Sequence, residues 1–305
     1  MAVLVVGSIA LDTVKTPVEE HTDQLGGSAS YAAVGASFFS SVQLVGVVGD
    51  DFPESEFEFW KSREIDARGV QRVPGKTFRW SGEYAWDLNT RETRSVALNV
   101  FENFQPELPD DFRDAEFVLL ANIAPSLQSY VLDQMRRPRF VIADTMDLWI
   151  QTTRGDLDAL LARVDLLILN DSEAREITSD TSLIRAGRAI RRMGPRYVAV
   201  KKGEHGALLF GPDDFFSCGA YPLEDIHDPT GAGDTFAGGL AGYLAGQGNE
   251  EIDFGQLRRA VIFGSVLASF NVEAFSLNRL RSLTSEEIDE RYQKFRLMSQ
   301  FEVLP

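Results

Sequence analysis

The sequence predicts an α/β fold: a doubly wound, mostly parallel central sheet flanked by helices, with a small β-hairpin insertion. Three observations predict it. Short apolar runs rich in Val, Ile and Leu alternate with amphipathic segments, the pattern of parallel strands joined by crossover helices. One stretch, from Thr77 to Phe104, breaks that alternation and reads as a β-hairpin. With 44% hydrophobic residues in 305, the chain can bury a sizeable core, and no internal repeat or low-complexity linker divides it. The expected organisation is one domain, 1–305.

Strands are expected at 2–7, 42–48, 116–120, 139–143, 164–169 and 197–201, with helices between them at about 27–39, 52–66, 126–136 and 182–193. Two short strands near 206–210 and 214–218 form a meander, and helices follow at about 232–246, 253–270 and 284–299. The first strand, Val3-Leu4-Val5-Val6, is apolar at every position and ends in a Gly turn and Asp12. In the hairpin, Asp87-Leu88-Asn89-Thr90 supplies turn-forming residues between flanks rich in aromatic and β-branched side chains. An isolated hairpin is marginal in water, so this one must lean on something. Strict alternation puts Phe78, Trp80, Gly82, Tyr84 and Trp86 on one face. Arg79, Trp80, Tyr84, Trp86, Asn89 and Arg94 are candidates to touch a substrate or a second subunit. Packing of the same face on the main body explains the same letters.

The stretch that carries chemistry is Asp228-Pro229-Thr230-Gly231-Ala232-Gly233-Asp234-Thr235-Phe236-Ala237-Gly238-Gly239. A Gly-rich turn feeding a helix leaves unpaired amides at the positive end of the macrodipole, where a phosphate oxygen is a natural guest. A carboxylate at that mouth repels the phosphate unless it has a task. Asp234 fits the task of general base, taking the proton of an attacking hydroxyl as the γ-phosphoryl arrives. Helix capping is the plainer reading of the same residue.

This stretch closely resembles the C-terminal signature of the ribokinase-like, or PfkB-type, carbohydrate kinases, Asp-Thr-x-Gly-Ala-Gly-Asp-x-Phe-x-x-Gly, from which only Pro229 departs. The resemblance implies that Gly231, Ala232 and Gly233 form an anion hole, that Asp234 is the catalytic base, and that Asp228 lies near the phosphate or cation end. It extends to Asp12, matching an aspartate that binds substrate hydroxyls, and to Gly26-Gly27-Ser28-Ala29-Ser30-Tyr31, matching a Gly-Gly pair that opens a helix of small residues. Tyr31 and Ser28 stand where members carry asparagine and, in ribose-specific ones, lysine, which points away from ribose. Asn170-Asp171-Ser172-Glu173 resembles the family's Asn-x-x-Glu, which bears on Mg²⁺ and phosphate; a helix cap explains it without a metal. Lys201-Lys202-Gly203 looks like the turn bordering the nucleotide, and Asn271, with Ser269, like an adenine neighbour.

Taken together, the resemblance implies an ATP-dependent kinase that phosphorylates a hydroxyl of a small sugar-like alcohol, with Mg²⁺ and a monovalent cation such as K⁺ as cofactors. The implied substrate contacts are Asp12, Gly26, Gly27, Tyr31 and Arg79. The implied ATP contacts are Asn170, Lys202, Gly203, Gly231, Gly233 and Asn271, and the implied metal contacts are Glu173 and Asp228. A nucleoside kinase of the adenosine-kinase type and a catalytically silent ligand-binding homologue are the alternatives. In this family a small β-sheet built from such an insertion covers the substrate, so the resemblance implies a small β-sheet lid formed mainly by 71–104 with a contribution from about 12–25; in several members the lid also pairs subunits, so a homodimer is expected.

Composition excludes other classes. The net charge of −16 argues against nucleic acid, since neutralising phosphates needs clustered Lys and Arg. A single cysteine, Cys218, cannot form an intrachain disulfide. The three histidines, His21, His205 and His227, are scattered, which disfavours a His-built metal site. No secretory signal and no run of 18 apolar residues is present, so no membrane partner and a cytoplasmic location are expected.

Overall fold

In the computed structural model, which describes residues 1–248 and 251–302, the chain opens on β1 (Val3–Val6), β2 (Ala10–Lys15) and β3 (Glu20–Gly26). Next come α1 (Ser28–Ser37), β4 (Val42–Val48), α2 (Glu54–Ser62) and β5 (Ile65–Arg72), then the hairpin β6 (Phe78–Tyr84) and β7 (Arg91–Ala97). The middle of the chain forms β8 (Phe117–Leu120), α3 (Pro125–Gln134), β9 (Phe140–Asp144), α4 (Asp147–Thr152), α5 (Arg154–Leu161) and β10 (Leu166–Asn170). It continues through α6 (Asp171–Thr178), α7 (Leu183–Arg191), β11 (Tyr197–Lys201), β12 (Ala207–Phe210) and β13 (Phe215–Cys218). Four helices close it: α8 (Ala232–Gly246), α9 (Phe254–Asn271), α10 (Asn278–Ser282) and α11 (Ser285–Met298).

The main sheet runs β13-β12-β11-β10-β9-β8-β1-β4-β5, and only β12 is reversed, pairing antiparallel with both β11 and β13. β1 lies between β8 and β4, so the chain winds outward from it in both directions, and ligands of such sheets bind at the carboxyl ends near that reversal. All of β1 is buried, because both faces are covered. Val3 and Val5 face a layer that includes α1, α8 and α9, whereas Leu4 and Val6 face one that includes α3, α5 and α7. Small residues let α1 and α8 touch backbone to backbone. A Cβ on Gly238 would stand 2.1 Å from the Ala32 carbonyl oxygen, and one on Gly242 would stand 2.5 Å from that of Ala36.

Residues 52–66 were expected to be one helix, but α2 stops at Ser62 and β5 begins at Ile65. Glu64 takes a left-handed turn (φ 56°), and Ile65 and Val70 then pack as a strand beside β4. Residues 71 and 72 therefore end a strand of the main sheet, and the lid hairpin starts at Phe78.

The second sheet runs β3-β2-β6-β7, with β2 and β6 parallel. β6 ends at Tyr84, so Trp86 belongs to the turn and is 89% exposed rather than part of an aromatic face. A small apolar cluster, Val14, Tyr84 and Phe275 with Trp80 and Leu88, seats the lid on the body. Among the described residues no helix is long and apolar enough to cross a membrane.

Candidate active site

Asp12 leaves the main sheet on β2, and its side chain is 5% exposed. The Gly27 amide donates to the carboxylate, while Oδ1 is buried with no partner. Burial, reinforced by Asp228 and Asp234 and opposed by the Gly27 amide and Arg91, pushes the carboxyl up to about 7. Gly26 leaves room for this arrangement, since a Cβ there would meet Asp12 Oδ2 at 1.9 Å. Gly27 has φ 88°, open to glycine and strained for other residues. Both glycines thus shape the Asp12 environment through the backbone.

Gly231 starts α8 in the left-handed region (φ 76°) and no side chain caps the helix; the Ala232 amide donates to the Pro229 carbonyl at 3.3 Å, and that of Thr235 closes the first turn on Gly231. Asp234 sits one turn in. Burial and Asp144 push it up to about 7, against the pull of Lys201 and Arg91. The Tyr31 ring packs where a Cβ on Gly231 would be, 2.3 Å away. Burial and the carboxylates of Asp228, Asp12 and Asp234 keep its phenol protonated well above the ordinary range. The structure therefore brings Asp12, Tyr31, Asp228 and Asp234 into one electrostatic group.

Several expected contacts are engaged elsewhere. Arg79 pairs with Leu11, which puts it on the lid face opposite Asp12, where it forms ion pairs with Asp23 and, at 2.9 Å, Asp51. Arg94 likewise pairs with Glu83 beside Lys15 on that face. Asn271 is fully buried: its amide donates to the Thr230 carbonyl at 2.8 Å and its oxygen accepts from the Thr235 hydroxyl at 3.1 Å, so it braces the loop and shows no exposed atom to adenine. The Asp228 carboxylate accepts the amides of Thr230 (2.9 Å) and Ser276 (3.3 Å), the geometry of a loop brace. Asn170 and Glu173 form a reciprocal capping box at the start of α6. Burial nonetheless pushes Glu173 up to about 8, with Lys201 opposing and Asp144 adding to the rise.

Asp144 and Arg91 escaped the sequence reading, and Lys201 was read only as part of the turn bordering the nucleotide, with Lys202 taken as the ATP contact. Asp144 and Lys201 are the last residues of β9 and β11, and their position at strand carboxyl ends was the available signal. Lys201 Nζ lies 3.4 Å from Asp144 Oδ2, whereas Lys202 acts electrostatically on Cys218. Arg91 is opposite Tyr84 in the lid, stands 5.3 Å from the Trp80 ring, and acts electrostatically on both Asp12 and Asp234. The lid reaches across the strand ends. Tyr84 and Thr230 share a hydrogen bond between hydroxyls at 3.1 Å. Asn89 Oδ1 comes within 3.9 Å of where a Cβ on Gly203 would stand.

The arrangement is an uncapped helix end flanked by a buried ammonium, with two elevated carboxylates beneath a lid. It suits an anion above α8 and a hydroxyl donor at Asp12. Among the described residues no group of three His, Cys, Asp or Glu is placed to hold a metal. A Mg²⁺ ion would therefore draw most of its ligands from phosphate oxygens and water.

The model of the pfkB family carbohydrate kinases matches residues 2–282. The chain is 31% identical to the cytidine kinase of Thermococcus kodakarensis over 255 residues, covering 81% of this chain and 90% of the relative. It is 30% identical to a nucleoside kinase of Methanothermobacter thermautotrophicus over 259 residues, 81% of this chain and 78% of that one. In fold it resembles the nucleoside kinase of Methanocaldococcus jannaschii, with TM-score 0.75 and 19% identity over 96% of this chain and 98% of that one.

Proposed function

The chain belongs to the PfkB family of carbohydrate kinases, and from that premise we propose that it phosphorylates a hydroxyl of a nucleoside, with Asp12 holding the acceptor and Asp234 as general base. As a member of the family it is a phosphotransferase acting on an alcohol group. The observation that carries the finer reading is the bare, buried Oδ1 of Asp12, which lacks the hydroxyl donor that a ribose would supply. The relatives named cytidine kinase and nucleoside kinase favour a nucleoside over a free sugar.

In the proposed step the acceptor oxygen forms a bond to the γ-phosphorus of ATP, and the bond from that phosphorus to the β–γ bridging oxygen breaks. ADP leaves with the electron pair, and the acceptor proton passes to Asp234. Of the anion-hole candidates Gly231, Ala232 and Gly233, the amides of Gly231 and Gly233 would face the charge on the peripheral phosphate oxygens, whereas that of Ala232 is shared with the Pro229 carbonyl. Mg²⁺, when bound with ATP, neutralises phosphate charge; Glu173 is the carboxylate best placed to assist it. The lid excludes water, a competing acceptor. We also read the exposed outer edge of the lid, β7 with Val96 and Leu98, as the contact between two copies of the chain.

The test is ADP release with ATP, Mg²⁺ and K⁺ against cytidine, adenosine, inosine, ribose and fructose. Turnover of a nucleoside is expected. Preference for a free sugar would sink the nucleoside reading. Asp234→Asn is expected to lower kcat by about 10²–10⁴-fold while leaving ATP binding nearly intact, and full activity in that variant would remove Asp234 as base.

A further inference from the structure

Lys201 has no part in the step just described, yet its setting is unusual for a structural lysine. Its side chain is 18% exposed and that of Asp144 is 6% exposed. The ammonium stands 3.4 and 3.5 Å from the two Asp144 oxygens. The pair is hydrogen-bonded but long, since a tight ammonium–carboxylate contact is about 2.7–2.9 Å, and an ammonium carries three donors, so Lys201 keeps capacity for a further acceptor.

Its position is also defined from the other side. A Cβ on Gly233 would lie 2.9 Å from Lys201 Nζ. The glycine therefore leaves the volume beside the first turn of α8 to the ammonium. That places a cation at the positive end of a helix, where the helix dipole repels it. Asp144, Glu173 and Asp234 offset the repulsion and keep the group charged despite burial. A cation, uncapped amides and Asp234 around one point make a surface that an anion completes.

We propose that Lys201 is a catalytic residue that binds a non-bridging oxygen of the transferring phosphoryl group, and that Asp144 is the positioning residue that holds its ammonium beside Gly233. The proposal rests on the kinase reading of the same site. It locates Lys201 at the reacting end of the nucleotide, because Asp234 and Gly233 are its neighbours. In the transition state charge spreads over the peripheral phosphoryl oxygens, and a preplaced cation in an enclosed site stabilises it without reorganisation.

A terminal-phosphoryl contact should discriminate triphosphate from diphosphate. Lys201→Met and wild type are titrated calorimetrically with ADP and with a β,γ-imido analogue of ATP, each with Mg²⁺. The variant is expected to bind the analogue at least about tenfold more weakly and ADP within about threefold of wild type. With a nucleoside that wild type turns over, kcat should fall by about 10²–10³-fold while the nucleoside KM stays within about threefold. Lys201→Arg, which retains the charge, should recover at least about a tenfold part of that loss. Asp144→Asn should show the same selectivity for the analogue on a smaller scale.

Equal weakening of ADP and analogue, or a kcat within about threefold of wild type, overturns the proposal. A purely structural ion pair would instead lower the melting temperature and weaken both ligands alike, and Lys201→Arg provides the comparison if the Met variant melts early. A wild-type protein that binds the analogue but turns over no acceptor counts against the kinase reading, and the calorimetric contrast then decides Lys201 alone.

Discussion

Burial lifts the Asp12 and Asp234 carboxyls alike to about 7, with opposite consequences for activity and stability. A general base must be deprotonated, and Asp234 is lifted to about 7 by burial and Asp144 against Lys201 and Arg91. Accordingly kcat/KM should fall as pH drops through about 7, and Arg91→Gln, which removes one opposing cation, should move that limb to higher pH. A limb unmoved in Arg91→Gln would detach Arg91 from the base. Stability runs the other way for Asp12. Its folded value of about 7 exceeds the unfolded 3.8, so between those values the native state holds more protons and stability falls as pH rises. Asp12→Asn should therefore raise the melting temperature by a few degrees at pH 8, by less at pH 5 and hardly at all at pH 3, as differential scanning calorimetry can measure. The glycines, Asp12 and Asp234 were legible because short motifs announce them. Asp144 and Arg91 were not, and Lys201 was legible only as part of a turn, since each is an ordinary strand residue whose surroundings arise from strands brought together out of sequence.

Elements were legible where one physical pattern ruled. Apolar runs such as Leu166–Asn170 and Tyr197–Lys201 are buried on both faces and appear where expected. β5 was missed because Ile65–Arg72 is an edge strand, only Ile65 and Gly69 fully buried, and its polar residues imitate the continuation of α2. The hairpin was legible, but which of its faces looks inward was not, because β2 sets that by pairing Asp12 with Trp80 and Leu11 with Arg79. The lid's inner strand predicts a third outcome. Tyr84→Phe removes the hydroxyl that meets Thr230; the loss of one hydrogen bond of about 0.5–1.5 kcal/mol should lower kcat/KM by about 2–10-fold. Steady-state kinetics with both substrates varied would check this, and unchanged kinetics would mean that the contact does not govern closure.

For the whole molecule, the net charge of −16 is compatible with the proposed anion site, because backbone amides and Lys201 would supply the positive potential locally. The exposed edge of β7 leads to a fourth prediction: sedimentation equilibrium should give twice the 33.9 kDa chain mass, and Val96→Lys with Leu98→Lys should return a monomer. A wild-type monomer at all concentrations would rule the lid contact out. The parallel pairing of β2 with β6 has another consequence. The two halves of the lid, β2 with β3 and β6 with β7, are separated in sequence by α1, β4, α2 and β5, so the lid cannot form until those elements have brought its halves together, and loop closure of that length slows assembly. Nor is the lid a portable cassette: exchanging it with that of another kinase requires the segments around Ala10–Gly26 and Phe78–Ala97 to be replaced together, because either alone would leave a strand edge with a foreign partner.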